Sequence, residues 1–512
     1  MEMNLQGFGL GHRTGDLQHF VGDVTGIRNS GWGEAAESGK EGKTEDIMQK
    51  FKTVFGAQDM TVGRPIVNLA AFSIPLLIGN LAQQMYNTVD SIIVGRFVGD
   101  SALAAVGTSG PVLNLLLLLF MGISTGAGIL VSQFFGARRE RELSRTVGTC
   151  ITLTLLASLI IMALGPLIIR PLMTLLQTPP DVYEMAVDYL SIIVIGIAGA
   201  AYYNILSGVL RGLGDSFSPL VFLIVACLLN IALDILFVAR FDMAAAGVAL
   251  ATVIAQGVSA MLCFWRLTHM KNTLRLSLRD LMPDRGMTSR IIRLGLPSGM
   301  TQAIFSMAAI VVQRLTNTFG TSVMACSIVV MRVDGFAMMP NFTFGMAMTT
   351  FVGQNVGAGR MDRVHEGVRD GLRAGLMIAA ALVAGILLFG EGLMRLFTET
   401  DEVVRLGVHM MRILAVGYIA MAVTQSLSGV MRGAGDTMTP MWVSLITTIV
   451  IRMPLAYGIA YFTRSPAQPH GTPDSLFISL LIAWIMGAVL TSIFYRRGKW
   501  RGKSVVGTEK EE

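Results

Sequence analysis

The chain has 512 residues, of which 53% are hydrophobic and only 14% charged, and its mean hydropathy is +0.60; soluble domains carry about 25% charged residues. These values exclude a water-soluble enzyme and a disordered chain. Lys and Arg outnumber Asp and Glu by 40 to 34, but the basic residues gather in short loops between long apolar runs, the pattern of a membrane protein and not of a nucleic-acid surface.

Residues 1 to about 60 are Gly-rich with scattered charges and hold no apolar run of signal-peptide length. They are expected to form a cytosolic, mostly disordered tail, within which Lys43 to Phe55 has the pattern of a weak amphipathic helix on the membrane surface. Beyond the tail, twelve segments reach the roughly 20 residues that a helix needs to cross ~30 Å of hydrocarbon. They lie near 66–96, 101–134, 147–169, 183–209, 218–239, 244–267, 290–318, 322–355, 370–390, 404–430, 439–462 and 475–495. The four cysteines (Cys150, Cys227, Cys263, Cys326) sit in apolar stretches without metal-ligand or disulfide spacing and read as packing residues.

Span 1 carries Asn80, Gln83, Gln84, Asn87, Asp90 and Ser91 at steps of three and four, one polar stripe on an apolar helix. The stripe is expected to line a cavity, with Tyr86 beside it able to stack on an aromatic or cationic ligand. A carboxylate at mid-helix costs about 2.5–3.5 kcal/mol on insertion, so Asp90 needs a partner or a task. Span 5 supplies a candidate partner: Asn230 and Asp234, four residues apart, share a face. Two carboxylates meeting in a low dielectric repel, and the pair then holds a proton near neutral pH or a monovalent cation among its oxygens.

The second half does not repeat this pair, since Ile451 and Leu455 stand 221 residues after Asn230 and Asp234. It carries Arg314 in span 7, Arg332 and Asp334 in span 8, and Arg452 in span 11. Residues two apart on a helix do not face each other, so Asp334 is expected to pair with Arg314 or Arg452 rather than Arg332, either as a structural ion pair or as part of a second-half site. Many of the 33 methionines, among them Met300, Met307, Met338, Met339, Met346, Met348 and Met421, fall in spans 7, 8 and 10; they read first as apolar filling and second as a pliable cavity wall.

An internal repeat runs through the chain. LRGLGDSFSPL (210–220) returns as MRGAGDTMTPM (431–441), and VSQFFGARR (131–139) as VGQNVGAGR (352–360), both at an offset of 221; Pro75 answers Pro297 at 222. Six spans separate the copies, so the halves share one topology about an axis along the membrane normal, an arrangement that places transported compounds between the halves. The expected fold is an all-α polytopic membrane protein of twelve transmembrane helices in two six-helix bundles related by a pseudo-two-fold axis. The expected divisions are a tail (1–60), a first bundle (61–280), a second bundle (281–498) and a C-terminal cytosolic tail (499–512). Loops after even-numbered spans hold seventeen Lys and Arg against six after odd-numbered ones, which places both termini in the cytosol of a cell membrane protein.

The run IPLLIGNLAQQMYNTVDSIIVGRFVG in span 1, the GxGDSxxP and GxGDTxTP turns, LLNIALD in span 5 and VGQNVGAG closing span 8 together resemble the multidrug and toxic compound extrusion (MATE) family, over nearly everything after Met60. The resemblance implies two bundles around a V-shaped cavity, with drug efflux driven by inward H⁺ or Na⁺. It implies a cation site of Asp90, Asn230, Asp234 and Thr252, a substrate cavity that includes Gln83, Tyr86, Asn87 and Asn204, and a hinge at Pro75, where the missing proline amide makes a bend cheap.

The expected function is therefore a secondary antiporter exporting organic cations or amphipathic drugs, monomeric in the bilayer, with no cofactor beyond H⁺ or Na⁺ and no nucleic-acid partner. A lipid-linked precursor flippase of the same superfamily is the rival reading, and would favour a strongly cationic cavity for pyrophosphate. An enzyme is not expected, because the spans hold no HExxH, GxSxG or paired-His constellation. A channel or receptor fits the doubled halves poorly.

Overall fold

In lipid, a backbone amide finds its partner only within its own segment, which makes each apolar run a helix. The computed structural model describes residues 57–506 except 177, 242, 271–273, 275 and 467; the tail and its amphipathic pattern at Lys43 to Phe55 lie outside the described residues. Among these, eleven helices are long and apolar enough to cross a membrane, and a bent pair supplies the twelfth span. Spans 1 to 6 are Pro65–Arg96, Ala104–Gly136, Glu140–Leu175, the pair Pro180–Ile195 and Ile197–Gly212, Phe217–Val238 and Ala244–His269. Spans 7 to 12 are Arg285–Thr318, Thr321–Gly357, Met361–Arg395, Asp401–Gly433, Met438–Phe462 and Asp474–Arg497.

Several helices overrun the apolar runs that located them. Span 3 begins at Glu140 and span 9 at Met361, with Glu140, Glu142 and Asp362 in their first turns, where the free amides of a helix start favour negative charge. Span 4 corrects the sequence reading: it is two helices bent by 51° about Gly196, not one continuous span. A side chain at 196 would overlap Val253 of span 6, so glycine lets span 6 close against the break. In span 11 a π-helical turn, Ile446–Arg452, precedes Pro454. Proline has no amide to offer the preceding turn, and the widened turn absorbs the mismatch.

The repeated GxGD turns share one construction. Gly214 and Gly435 adopt φ of +87° and +100°, the left-handed conformation that closes a helix. Asp215 then accepts from the Ser218 amide at 2.9 Å and hydroxyl at 2.7 Å. Asp436 does the same for Thr439, at 3.2 and 2.7 Å. Each caps the next span, whose proline sits in the first turn, where no amide is needed. In the first half, Arg266 of span 6 also lies 3.0 Å from the fully buried Asp215 carboxylate. Arg266→Gln should therefore destabilise the first bundle by about 2 kcal/mol, seen as a lower midpoint of thermal aggregation in detergent. An unchanged midpoint would mean that the Ser218 hydrogen bonds alone satisfy Asp215.

Packing does not follow the order of the chain at its repeat boundary. Met60, Leu69, Phe72 and Leu76, around the start of span 1, lie in one core with Phe344, Phe351, Val430 and Trp500 of the second half. Met287, Ile291 and Leu294, at the start of span 7, lie with Phe120, Leu130 and Leu206 of the first. Spans 1 and 7 thus begin in each other's bundle, and Pro75 is buried where span 1 leaves the second-half core and its Gly79 meets Leu220 of span 5. The described part of the C-terminal segment is docked: Trp500 is 1% exposed, stacks on Tyr495 at 5.3 Å and donates to its carbonyl at 2.9 Å.

Candidate coupling and substrate sites

Asp90 and Asp234 lie near the ends of spans 1 and 5 remote from the face where the chain's described ends and the basic loops gather, called here the basic face. Their carboxyl groups come within side-chain hydrogen-bond reach of one another. Asp234 and Asn230 are fully buried, and Asp90 is half-buried. With its amide nitrogen turned to Asp234, Asn230 donates to Asp234 Oδ2 at 2.8 Å and accepts from the Thr252 amide at 3.2 Å; the opposite orientation would set two acceptors against each other. The Tyr86 hydroxyl stands 3.5 Å from the Thr252 hydroxyl. Asp90 Oδ1 and Asp234 Oδ1 are buried without a hydrogen-bond partner. Two carboxylates so placed attract a third party, a proton shared between them or a small cation. Tyr189 of span 4, 5% exposed, stands close to both carboxyls; as one of four tyrosines in that span it gave no sequence signal for this.

The rest of the span 1 stripe divides. Gln83 donates to Asn87 at 3.3 Å on the same helix, and Asn80 crosses to Thr343 of span 8 at 2.9 Å.

Between the halves lies a cavity of about 610 Å³, a size suited to drug-sized compounds, lined by spans 2, 4, 7, 8, 10, 11 and 12 and by Phe72 of span 1. Asn204 lines it; Gln83, Tyr86 and Asn87 do not. The difference arises because the beginning of span 1 is drawn into the second-half core and Asp90, near its other end, meets span 5. Met121, Met338, Met346 and Met421 contribute to the wall, whereas Met348 is buried in a core and Met300 and Met307 are exposed. The ionisable residues of the lining are Arg211, Arg432 and Arg452, and it contains no Asp or Glu.

In the second half, Asp334 is hydrogen-bonded by the Tyr418 hydroxyl, and Arg452 is the arginine within Coulombic reach of it. The pairing with Arg314 is not formed: Arg314 and Arg332 are both exposed. The π-helical turn before Pro454 carries Arg452 at its end, which periodicity alone did not reveal.

On the basic face the repeated VSQFFG and VGQNVG segments cross. Gln133 Nε2 donates to the Gly433 carbonyl at 2.8 Å and Gln354 Nε2 to the Gly212 carbonyl at 3.2 Å, each glutamine reaching into the other half. Their Oε1 atoms accept from the Val505 and Met60 amides at 2.9 and 2.8 Å. A side chain at Gly136 would overlap the Gln354 carbonyl, and one at Gly357 the Gln133 carbonyl, so the two helices meet backbone to backbone. Arg360, just before span 9, and Arg363 within it hold the carbonyls of Thr61 and Gly63 at 2.6 and 2.8 Å. Nearby, partial burial acts to raise the Asp59 carboxyl, but hydrogen bonds from Thr61 and the charge of Arg138 outweigh it and hold the group below the usual carboxylate value. Gly212 both lines the cavity and belongs to this crossing, so the crossing closes the cavity toward the basic face.

The family model MatE matches residues 75–236 and again 297–458, one copy in each half. The chain is similar to two probable multidrug resistance proteins of Bacillus subtilis (strain 168). YoeA is 28% identical, with 81% of this chain and 92% of that protein covered; YpnP is 28% identical, with 89% of this chain and 100% of that protein covered. The fold is similar to a solved structure described as the outward-facing conformation of a multidrug resistance MATE family transporter of the MOP superfamily. The TM-score is 0.79 at 24% identity, covering 86% of this chain and 97% of that one.

Proposed function

Because the chain belongs to the MatE family, we propose that it is a secondary active multidrug efflux antiporter, taking up H⁺ or Na⁺ at Asp90, Asn230, Asp234 and Thr252 as it releases an amphipathic drug outward. The observation that carries this reading is the meeting of the Asp90 and Asp234 carboxyls across spans 1 and 5, with one buried oxygen on each left without a partner. The basic face is assigned to the cytosol on its excess of Lys and Arg. With the crossing there closed, the cavity belongs to an outward-facing state. A cation arriving from outside loads the pair, spans 1 and 5 tighten about it, and the drug leaves. Pro75, at the point where span 1 passes between bundles, is the hinge of that movement, since a helix lacking one amide bends at little cost.

The acidic groups that suggested organic cations as cargo do not line the cavity, so amphipathic drugs are the substrate class kept here. One observation favours the rival flippase reading: three arginines and no acid in the cavity lining. The test of the antiporter is dye uptake into everted vesicles, with a pH gradient and a sodium gradient imposed separately. Uphill accumulation driven by one of them supports the antiporter. Movement only down the dye's own gradient, unaffected by either ion, would count against it.

A further inference from the structure

We propose that the cavity recognises an anionic group on its cargo through Arg211 and Arg432, so that the preferred substrate is an amphipathic anion, an aromatic or apolar body bearing a carboxylate, sulfonate or phosphate. The inference rests on reading the cavity as the site of the transported compound. Arg211 and Arg432 stand 221 residues apart in the repeated LRG and MRG steps, one in the last turn of span 4 and one in the last turn of span 10. The pseudo-two-fold axis thus brings a matched pair of guanidinium groups to one cavity.

Neither guanidinium has a hydrogen-bond or ion-pair partner among the described residues, and both line the cavity. Both are half-buried and reachable from the cavity, and five donors in a planar fork are the geometry that suits a carboxylate or phosphate. The whole lining offers no carboxylate to neutralise them; the third arginine, Arg452, is already within Coulombic reach of Asp334, although its buried Nε lacks a hydrogen-bond partner. Around them, Phe305, Phe342, Trp484 and Met346 give an apolar surface for the body of the ligand. The Asp90–Asp234 pair lies far from this floor, at the opposite end of span 1, and so does not cancel its charge. The competing account is that each arginine merely favours the carbonyl end of its own helix; that role would require no selectivity for cargo charge.

The test compares carboxyfluorescein with ethidium, two flat dyes of opposite charge. Binding to the purified protein is followed by fluorescence anisotropy, and transport by uptake into everted vesicles. The wild type should bind carboxyfluorescein more tightly. Arg211→Gln and Arg432→Gln should each weaken that binding by about 10-fold or more, and the double variant should lose it. Arg211→Lys and Arg432→Lys, which keep the charge but not the fork, should fall between; all variants are first checked for a monodisperse elution profile. A wild type that binds ethidium in preference, or Gln variants that leave the ratio of the two dyes unaltered, would overturn the proposal without touching the antiporter. Arginine-dependent binding of carboxyfluorescein with no gradient-driven uptake of either dye would uphold the anion subsite and overturn the antiporter. A parallel arm follows NBD-labelled phosphatidylglycerol in proteoliposomes. Arginine-dependent redistribution of that lipid, without carboxyfluorescein binding, assigns the same anionic chemistry to a lipid headgroup and overturns export of a soluble drug.

Discussion

Asp90→Asn and Asp234→Asn are each expected to lower gradient-driven efflux roughly 100-fold, the upper range of a coupling free energy between two sites, while leaving binding of the dye within about threefold. The substitution keeps the shape of the side chain and, at position 234, its capacity to accept from Asn230, but removes the acid that can exchange a proton or hold a cation. The two oxygens without partners, Asp90 Oδ1 and Asp234 Oδ1, are the places where the exchanged ion would be satisfied. Losing either carboxylate leaves the other without its electrostatic counterpart, so the two single variants should behave alike, and the double variant should be little worse than either, as expected for residues acting as one unit. The measurement is the initial rate of dye uptake into everted vesicles at a fixed imposed gradient, paired with equilibrium dye binding in detergent. Normal pumping by both variants would remove these carboxylates from the coupling mechanism. A parallel loss of dye binding would instead make them part of the substrate site.

What could be read from the sequence depended on whether a residue's role was written in its chemistry or in its neighbours. Asp90, Asn230 and Asp234 were conspicuous because charge and amides are rare in apolar helices, and their spacing already put Asn230 and Asp234 on one face. Twelve spans and the doubled halves followed from apolar length and from motifs recurring at one offset. The break at Gly196 escaped notice because hydropathy averages over a turn and does not register backbone direction. Tyr189 was indistinguishable from an ordinary aromatic of a buried helix. Arg211 and Arg432 were counted among the loop charges that set orientation, since both sit at the very end of a span; the inward direction of their side chains depends on packing that no periodicity encodes. The same holds for the exchange of spans 1 and 7 between bundles. An apolar face announces that a helix is buried, not which helix covers it.

The repeated glutamine and glycine motif was visible as a repeat, yet its task becomes clear only where the two copies touch, and that contact yields the other large expected effect. Gly136→Ala and Gly357→Ala should each shift the protein from the form closed on the basic face to the open one. A methyl group at either position would overlap the facing carbonyl, and restoring ordinary contact requires a separation on the order of 1–2 Å. That displacement stretches the Gln133 to Gly433 and Gln354 to Gly212 hydrogen bonds, at 2.8 and 3.2 Å, beyond bonding range. Overpacking and the two lost bonds together disfavour the closed form by about 3 kcal/mol, or roughly 100-fold in the ratio of the two forms. Spin labels at Arg141→Cys and Glu366→Cys, both exposed on the basic face, in a background with the four native cysteines replaced by Ala, report the distance across the crossing. It should lengthen in either glycine variant, with efflux falling by 10-fold or more because the outward-facing state is seldom reached. Gly385→Ala in span 9, where an added side chain meets nothing within 4 Å, serves as the control and should leave both readings unchanged. An unaltered distance in Gly136→Ala and Gly357→Ala, with normal efflux, would show that the helices tolerate the methyl groups and that some other contact closes the basic face.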